Sequence, residues 1–421
     1  MTTTANAAGS PSLARIVLLV LLPFGSGYFL SYLFRAVNAV VAPDLVAEIQ
    51  LSASSLGLLT SAYLFAFAAF QLPLGILLDR YGPRRVQTCL FLVGAAGAFL
   101  FASAESESLL ILARAMIGLG FAGGLMGSFK AVALFAPPGR MPLLNSWVMA
   151  FGGLGVLVAA TPADMAVQAF GWREVFFGLG TITIAVALLI WIIVPRRGES
   201  PSAGVQPEPL GQQLQALGRI YTDREFWRVV PLVMLCCASH IAIQTLWAGP
   251  WLADVGGLAR DDVASTLSLM ALAFTVGILG SGALADWTRR FGKGPLFVMM
   301  FAMALYLVSQ AGLLLGPSPL MLVFWLLFGM TGQLGILAYP HLSEHFGAAL
   351  AGRAGTAVNL LVFGGAFAIQ YGFGAILDLW QANTDGAYPE DAYATAIGVF
   401  LVAQVVAFGW FFVGQPKRSN S

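Results

Sequence analysis

Residues 27–41 read GYFLSYLFRAVNAVV, an apolar run with one guanidinium, Arg35, set into it and no Asp or Glu between Tyr28 and Ala42. A charge at the centre of an apolar helix costs at least ~2.5–3.5 kcal/mol, which marks such a residue as a functional candidate. A cation with no protein anion beside it is most cheaply neutralised by an anionic ligand. The planar fork of arginine fits a carboxylate or phosphate bidentately. Snorkelling or helix packing is the alternative use. Asn38 follows Arg35 by three residues, which puts both on one face of an unbroken helix, and Tyr28 or Tyr32 extends that face.

A second polar stripe lies in CCASHIAIQTLWAGPWL, residues 236–252, where Gln244, Trp247 and Trp251 share a helix face and His240 prolongs it one turn earlier. Trp251 also suits an interfacial aromatic belt. Gln333, Tyr339, Asn359 and Gln370 fall at comparable depth in later apolar runs, whereas His341 and His345 read as loop residues. His240 can titrate near neutral pH, so it is a candidate for proton coupling or a hydrogen-bonded structural imidazole. Arg114, in RAMIGLG, is open to the same two readings, since Gly118 and Gly120 beside it permit close helix packing. Lys130 is either a second positive group in the same cavity or a snorkelling side chain. No Asp or Glu occupies the middle third of any apolar run, which argues against a cationic substrate. Cys89, Cys236 and Cys237 lack metal or redox spacing, and no nucleophile triad or nucleotide loop is present. The sequence therefore implies no enzyme and no cofactor.

The elements that carry these residues follow from composition. The 421 residues are 58% hydrophobic and 10% charged, with mean hydropathy +0.82. Soluble domains carry about 25% charge, so most of this exterior must face a lipid bilayer. The formal charge of +1 gives no reason to expect nucleic acid. Runs of about 20 apolar residues, enough to cross roughly 30 Å of hydrocarbon, lie near 16–42, 53–77, 86–104, 109–136, 141–165 and 173–194. They resume near 226–252, 262–285, 294–315, 319–340, 355–377 and 392–413. Twelve helical spans in two groups of six are expected. The ranges are a tail at 1–15, one six-helix bundle at 16–194, a polar linker at 195–225, a second bundle at 226–414 and a tail at 415–421. With both termini cytoplasmic, 16 of the 21 Lys and Arg residues fall inside and only Arg173 and Arg260 outside. The expected location is a cell membrane, crossed many times by a monomer.

Two loops repeat each other. GILLDRYGPRR contains Gly75, Asp79, Arg80, Gly82, Arg84 and Arg85, and GALADWTRRFGK contains Asp286, Arg289 and Arg290. The aspartates are 286 − 79 = 207 residues apart, about half the chain, as duplication of a six-span unit requires. The first loop resembles the cytoplasmic signature of the major facilitator superfamily, as do its degenerate copy, the central linker and GWREVFF at 171–177. That resemblance covers essentially the whole chain. It implies two pseudo-symmetric six-helix bundles, a mid-membrane site between them and rocking between two open states. Asp79, Arg80, Arg84, Arg85, Asp286, Arg289 and Arg290, with Gly75 and Gly82, then read as a conformational gate.

Within that superfamily, YLFRAVNAVVAPDL resembles the first span of organophosphate antiporters, in which an arginine binds the substrate phosphate. Those antiporters place a second arginine in the seventh span; this chain offers His240 and Gln244 near that location. The expected substrate is a small, singly charged organic anion, contacted by Arg35, Asn38, Tyr32, His240, Gln244, Trp247, Gln333, Asn359 and Lys130. The alternative is a proton-coupled exporter of amphipathic, drug-like compounds.

Overall fold

The computed structural model describes residues 13–136, 140–196, 210–347, 350–383 and 386–413. Most of the two terminal tails and residues 197–209 of the linker lie outside the described residues; the end of the linker forms the helix Leu210–Tyr221. Every element among the described residues is helical. In hydrocarbon each backbone N–H and C=O must find its partner within the segment, and an apolar run does so by coiling. Among the described residues, ten helices are long and apolar enough to cross a membrane, and Leu143–Val158 with Thr161–Phe170, bent by 46°, has the length and composition of an eleventh. The second span is the shorter helix Ala53–Ala69, continued by the start of Gln71–Ser103. That long element is divided at Gly82, whose φ of 76° suits glycine and lies directly before Pro83. With this division the arrangement is consistent with the twelve expected crossings.

The first span is likewise interrupted. Leu22–Ala36 ends before Val37, and Asn38–Ile49 resumes beyond it. The seventh contains a π-helical stretch, Ile243–Trp247, between Arg224–Ala242 and Ala248–Asp254. In the N-terminal half the first span packs on the fifth, the second on the fourth and the third on the sixth. In the C-terminal half the seventh packs on the eleventh and the eighth on the tenth. The halves meet along the second and eleventh spans, the fifth and eighth, and the outer parts of the first and seventh. One face of the molecule carries Arg80, Arg84, Arg85, Arg289 and Arg290 and is called the basic face below; the other carries Asp44, Glu48, Asp164, Asp261 and Asp262 and is called the acidic face.

Backbone meets backbone where the halves join near the acidic face. A side chain added at Gly57 would bring its Cβ to 2.8 Å from the Gln370 carbonyl, and one at Gly374 would strike the Ala53 carbonyl. Glycine at both positions lets the second and eleventh spans touch directly, as small residues do at membrane helix interfaces. Gly374→Ala should therefore force the two spans apart and cost about 1–3 kcal/mol by overpacking. Thermal unfolding of the purified variant in detergent checks this, with Gly364→Ala, whose added Cβ meets no atom within 4 Å, as the control.

Candidate functional site

Between the halves lies a cavity of about 550 Å³. Its lining reaches from Arg35 to Phe129, Gly282 and Pro340, which stand within one helical turn of Lys130, Asp286 and His341 in sequence. The mouth therefore lies at the basic face. Of the expected ligand contacts, Arg35, Tyr32, His240, Gln244, Gln333 and Asn359 line the cavity. Arg35 is the only Lys, Arg, Asp or Glu among the lining residues.

Arg35 is 7% exposed, and no carboxylate among the described residues pairs with it. Its Nε has no hydrogen-bond partner. Four rings surround the guanidinium carbon, at 4.7 Å (Tyr32), 5.8 Å (Tyr63), 5.1 Å (Phe67) and 5.0 Å (Phe363). Cation–π attraction compensates part of the desolvation, about 0.5–2 kcal/mol per contact. Phe363 belongs to the other half, and its ring meets that of Phe67 with centroids 4.4 Å apart. A guanidinium packed among rings is most readily approached along its N–H edge, where a planar anion can lie bidentate.

The C-terminal wall is largely apolar, and its polar groups are uncharged. Gln333 Nε2 donates to the Cys237 carbonyl at 3.0 Å and lies 3.3 Å from His240 Nδ1. The His240 ring stacks on Phe274 and Phe328, and its Nε2 is buried beside the backbone of Gly329 without a hydrogen bond of good geometry. Tyr339 donates its hydroxyl to Asn359 Oδ1, which leaves the Asn359 Nδ2 unspent. The Gln244 amide has no hydrogen-bond partner among the described residues.

Three expected contacts do not reach the cavity. Asn38 is fully buried and donates through Nδ2 to Thr60 Oγ1 at 2.9 Å, turned to the second span rather than to the cavity that Arg35 lines. Trp247 donates to the Gln370 carbonyl at 3.0 Å and stacks on Phe373. The π-helical stretch ending at Trp247 changes the register, so Gln244 faces the cavity while Trp247 packs into the core. Lys130 is at the basic face, 2.7 Å from Asp79, and a charge spent on that carboxylate is no second cation for the cavity. Trp251 packs on Trp325 in the core, and Gln370 is buried between the seventh and eleventh spans. Arg114 is fully buried outside the cavity and donates through Nη1 to the Phe34 carbonyl at 3.0 Å, one residue from Arg35.

The residues expected to form a gate stand at the basic face. Arg84 donates to the Trp191 carbonyl at the end of the sixth span and lies over the indole, Arg80 lies over Tyr81, and Asp286 is 3.6 Å from Arg289. Arg85 follows Arg84 on the same helix, and Arg290 closes the helix Arg260–Arg289. Gly75 borders open space and Gly82 makes the turn. The ion pairs of Asp79 and Asp286 stay within one half.

The acidic face, by contrast, is fastened across the halves. Arg260 grips Asp44 with Nη1 and Nη2 at 3.1 and 2.9 Å and Asp164 with Nε at 2.7 Å. Asp378, at the end of the eleventh span, accepts from the backbone N–H groups of Ala53 and Ser54 at 3.1 and 2.9 Å, and from the Tyr388 hydroxyl at 2.7 Å. A carboxylate from one half thus caps the first turn of a helix in the other. Partial burial pushes the Asp378 carboxyl up, but these hydrogen bonds outweigh it and hold the group below the usual carboxylate range. Sequence reasoning missed both fastenings. The signal for Arg260 was its rarity, one of two basic residues expected on that face; nothing local marked Asp378.

The family model described as Major Facilitator Superfamily matches residues 24–370. A curated protein named "Probable sulfoacetate transporter SauU", from Cupriavidus necator, is 26% identical over 308 residues, 70% of each chain. The "Uncharacterized transporter YybO" of Bacillus subtilis is 31% identical over 162 residues, 38% of this chain and 37% of that one. Among solved structures, a bacterial homologue of the lysosomal transporter Spinster, inward-facing and unoccupied, superposes with TM-score 0.73 at 18% identity over 96% of this chain and 98% of that one. The D-xylose-proton symporter does so with TM-score 0.71 at 16% identity, over 95% and 98%.

Because the Asp378 carboxyl is held low in the folded chain, the stability it lends the acidic face is present at neutral pH and is lost as pH falls through that depressed value. Spin labels at Gln50 and Leu379, both exposed on that face, should show a longer-distance population growing on acidification. Asp378→Asn should raise that population at pH 7 and flatten its dependence on acid.

Proposed function

The chain belongs to the Major Facilitator Superfamily and is a multi-pass membrane transporter, not an enzyme; on that premise we propose that it carries a small organic anion by alternating access, with Arg35 as the anion-binding residue. One observation carries the reading: the only formally charged side chain in the cavity lining is a cation that has no protein counter-ion. Its neighbours supply rings and neutral amides, which suits one negative charge better than the two of a phosphate ester. The relative named for sulfoacetate, which carries two acidic groups, supports organic anions as the class and lends nothing to the single charge.

Alternating access in this reading is a rocking of the halves 16–194 and 226–414 about the cavity, joined by the segment 195–225. The excess of Lys and Arg puts the basic face in the cytoplasm, so the arrangement described here is the inward-open one. Asp79, Arg80, Arg84, Arg85, Asp286, Arg289 and Arg290 gate that mouth, and Lys130 belongs with them as the partner of Asp79. Arg260 and Asp378 hold the opposite side shut.

Arg35→Gln should weaken binding of organic acids about 10²-fold or more, the usual consequence of removing a buried charged partner, while the thermal unfolding midpoint without ligand stays near that of the parent. Thermal-shift titration with organic acids, followed by flux in proteoliposomes, measures both. Equal behaviour of the two proteins would remove Arg35 from the site and leave an exporter of amphipathic compounds as the better reading.

A further inference from the structure

The walls of the cavity are largely apolar on both sides, and their few free polar groups are unevenly placed. Beside Arg35, the N-terminal half contributes Leu125, Met126, Phe129 and Met149, an apolar and deformable surface. The C-terminal half faces them with the unspent Gln244 amide and Asn359 Nδ2. Most of the other polar lining groups are committed: Gln71 bonds to the Phe67 and Ala122 carbonyls, Thr245 to Ile241, Ser281 to Ile278 and Gln333 to Cys237. Available to a guest are therefore one guanidinium on the first span with the Tyr32 hydroxyl one turn before it, and two neutral amides on the seventh and eleventh.

From this division, and resting on the anion reading above, we infer that the substrate is a monoanion with a compact apolar body and an uncharged hydrogen-bonding group, a hydroxyl or carbonyl, away from its charged end. The anion meets Arg35. The body lies against the methionine-rich wall and displaces water from it. The hydroxyl or carbonyl meets the amide of Gln244 or that of Asn359, neither of which offers a cation to a second carboxylate. A dianion would have to desolvate its second charge against neutral groups, which is unfavourable in such a place. Size agrees. An acetate ion takes up roughly the space of two or three waters, at ~30 Å³ each, and would leave most of 550 Å³ wet.

Four acids form a matched series for the purified carrier: acetate (no body), benzoate (body alone), hydroxybenzoate (body and hydroxyl, as the tighter of the 3- and 4-isomers) and terephthalate (second charge). Thermal-shift titration should rank hydroxybenzoate first and benzoate about tenfold weaker. Acetate should be about tenfold weaker than benzoate, and terephthalate about a hundredfold weaker than hydroxybenzoate. In Gln244→Leu combined with Asn359→Leu, the hydroxybenzoate-to-benzoate ratio should collapse towards one. Acetate or terephthalate binding as tightly as hydroxybenzoate would overturn the inference while leaving the anion reading standing, and so would a ratio that survives the double substitution. Stabilisation by none of the four acids would overturn the inference and the anion reading together, as would ligand responses that Arg35→Gln leaves unchanged.

Discussion

The direct contact of the second and eleventh spans near the acidic face governs the rest of the architecture. Gly57 and Gly374 bring two backbones together, and the Asp378 carboxylate completes the join by satisfying amide donors that would otherwise sit at a bare helix end. Two rigid bundles that touch at one side must part at the other. The cavity at the basic face is thus the geometric complement of this join, and the Arg260 grip on Asp44 and Asp164 repeats it along the fifth and eighth spans.

Arg35 sits where the parted halves begin. Its charge is tolerable there because aromatic faces, one of them from the opposite half, take the place of water. The same rings leave the chamber apolar around a single positive end, and the chamber adds no competing carboxylate of its own. The buried Arg114 serves differently. By holding the Phe34 carbonyl, it fixes the backbone next to Arg35 just before the first span breaks. Charge position is set by hydrogen bonding to the main chain rather than by ion pairing.

The helical fold was legible because hydrocarbon imposes it: run lengths and the scarcity of charge leave little else for such a chain to do. Arg35, Gln244 and Asn359 were also legible, as polar groups at cavity depth in otherwise apolar runs. The failures have local physical causes. Asn38 and Trp247 were placed by regular helical spacing. Residues three apart still diverge by about 60° on a helix, which lets Asn38 face Thr60 while Arg35 faces the cavity. The π-helical stretch at Ile243–Trp247 turns Trp247 away from the face of Gln244. Lys130 was misplaced because its partner lies 51 residues away. The cross-half fastenings join residues far apart in sequence, 96 positions for Arg260 to Asp164 and 324 for Asp378 to Ser54, and only the assembled bundles bring them together.

The pairing of Lys130 with Asp79 shapes the electric potential along the approach. An unneutralised ammonium near the entrance would make a well of its own, and an arriving ion would dwell there before reaching the interior. With that charge cancelled, the interior offers a single minimum at its far end. On the proposed reading, the arginines of that face attract an anion from a distance, and the cavity lining holds no formal cation besides Arg35 for it to rest on.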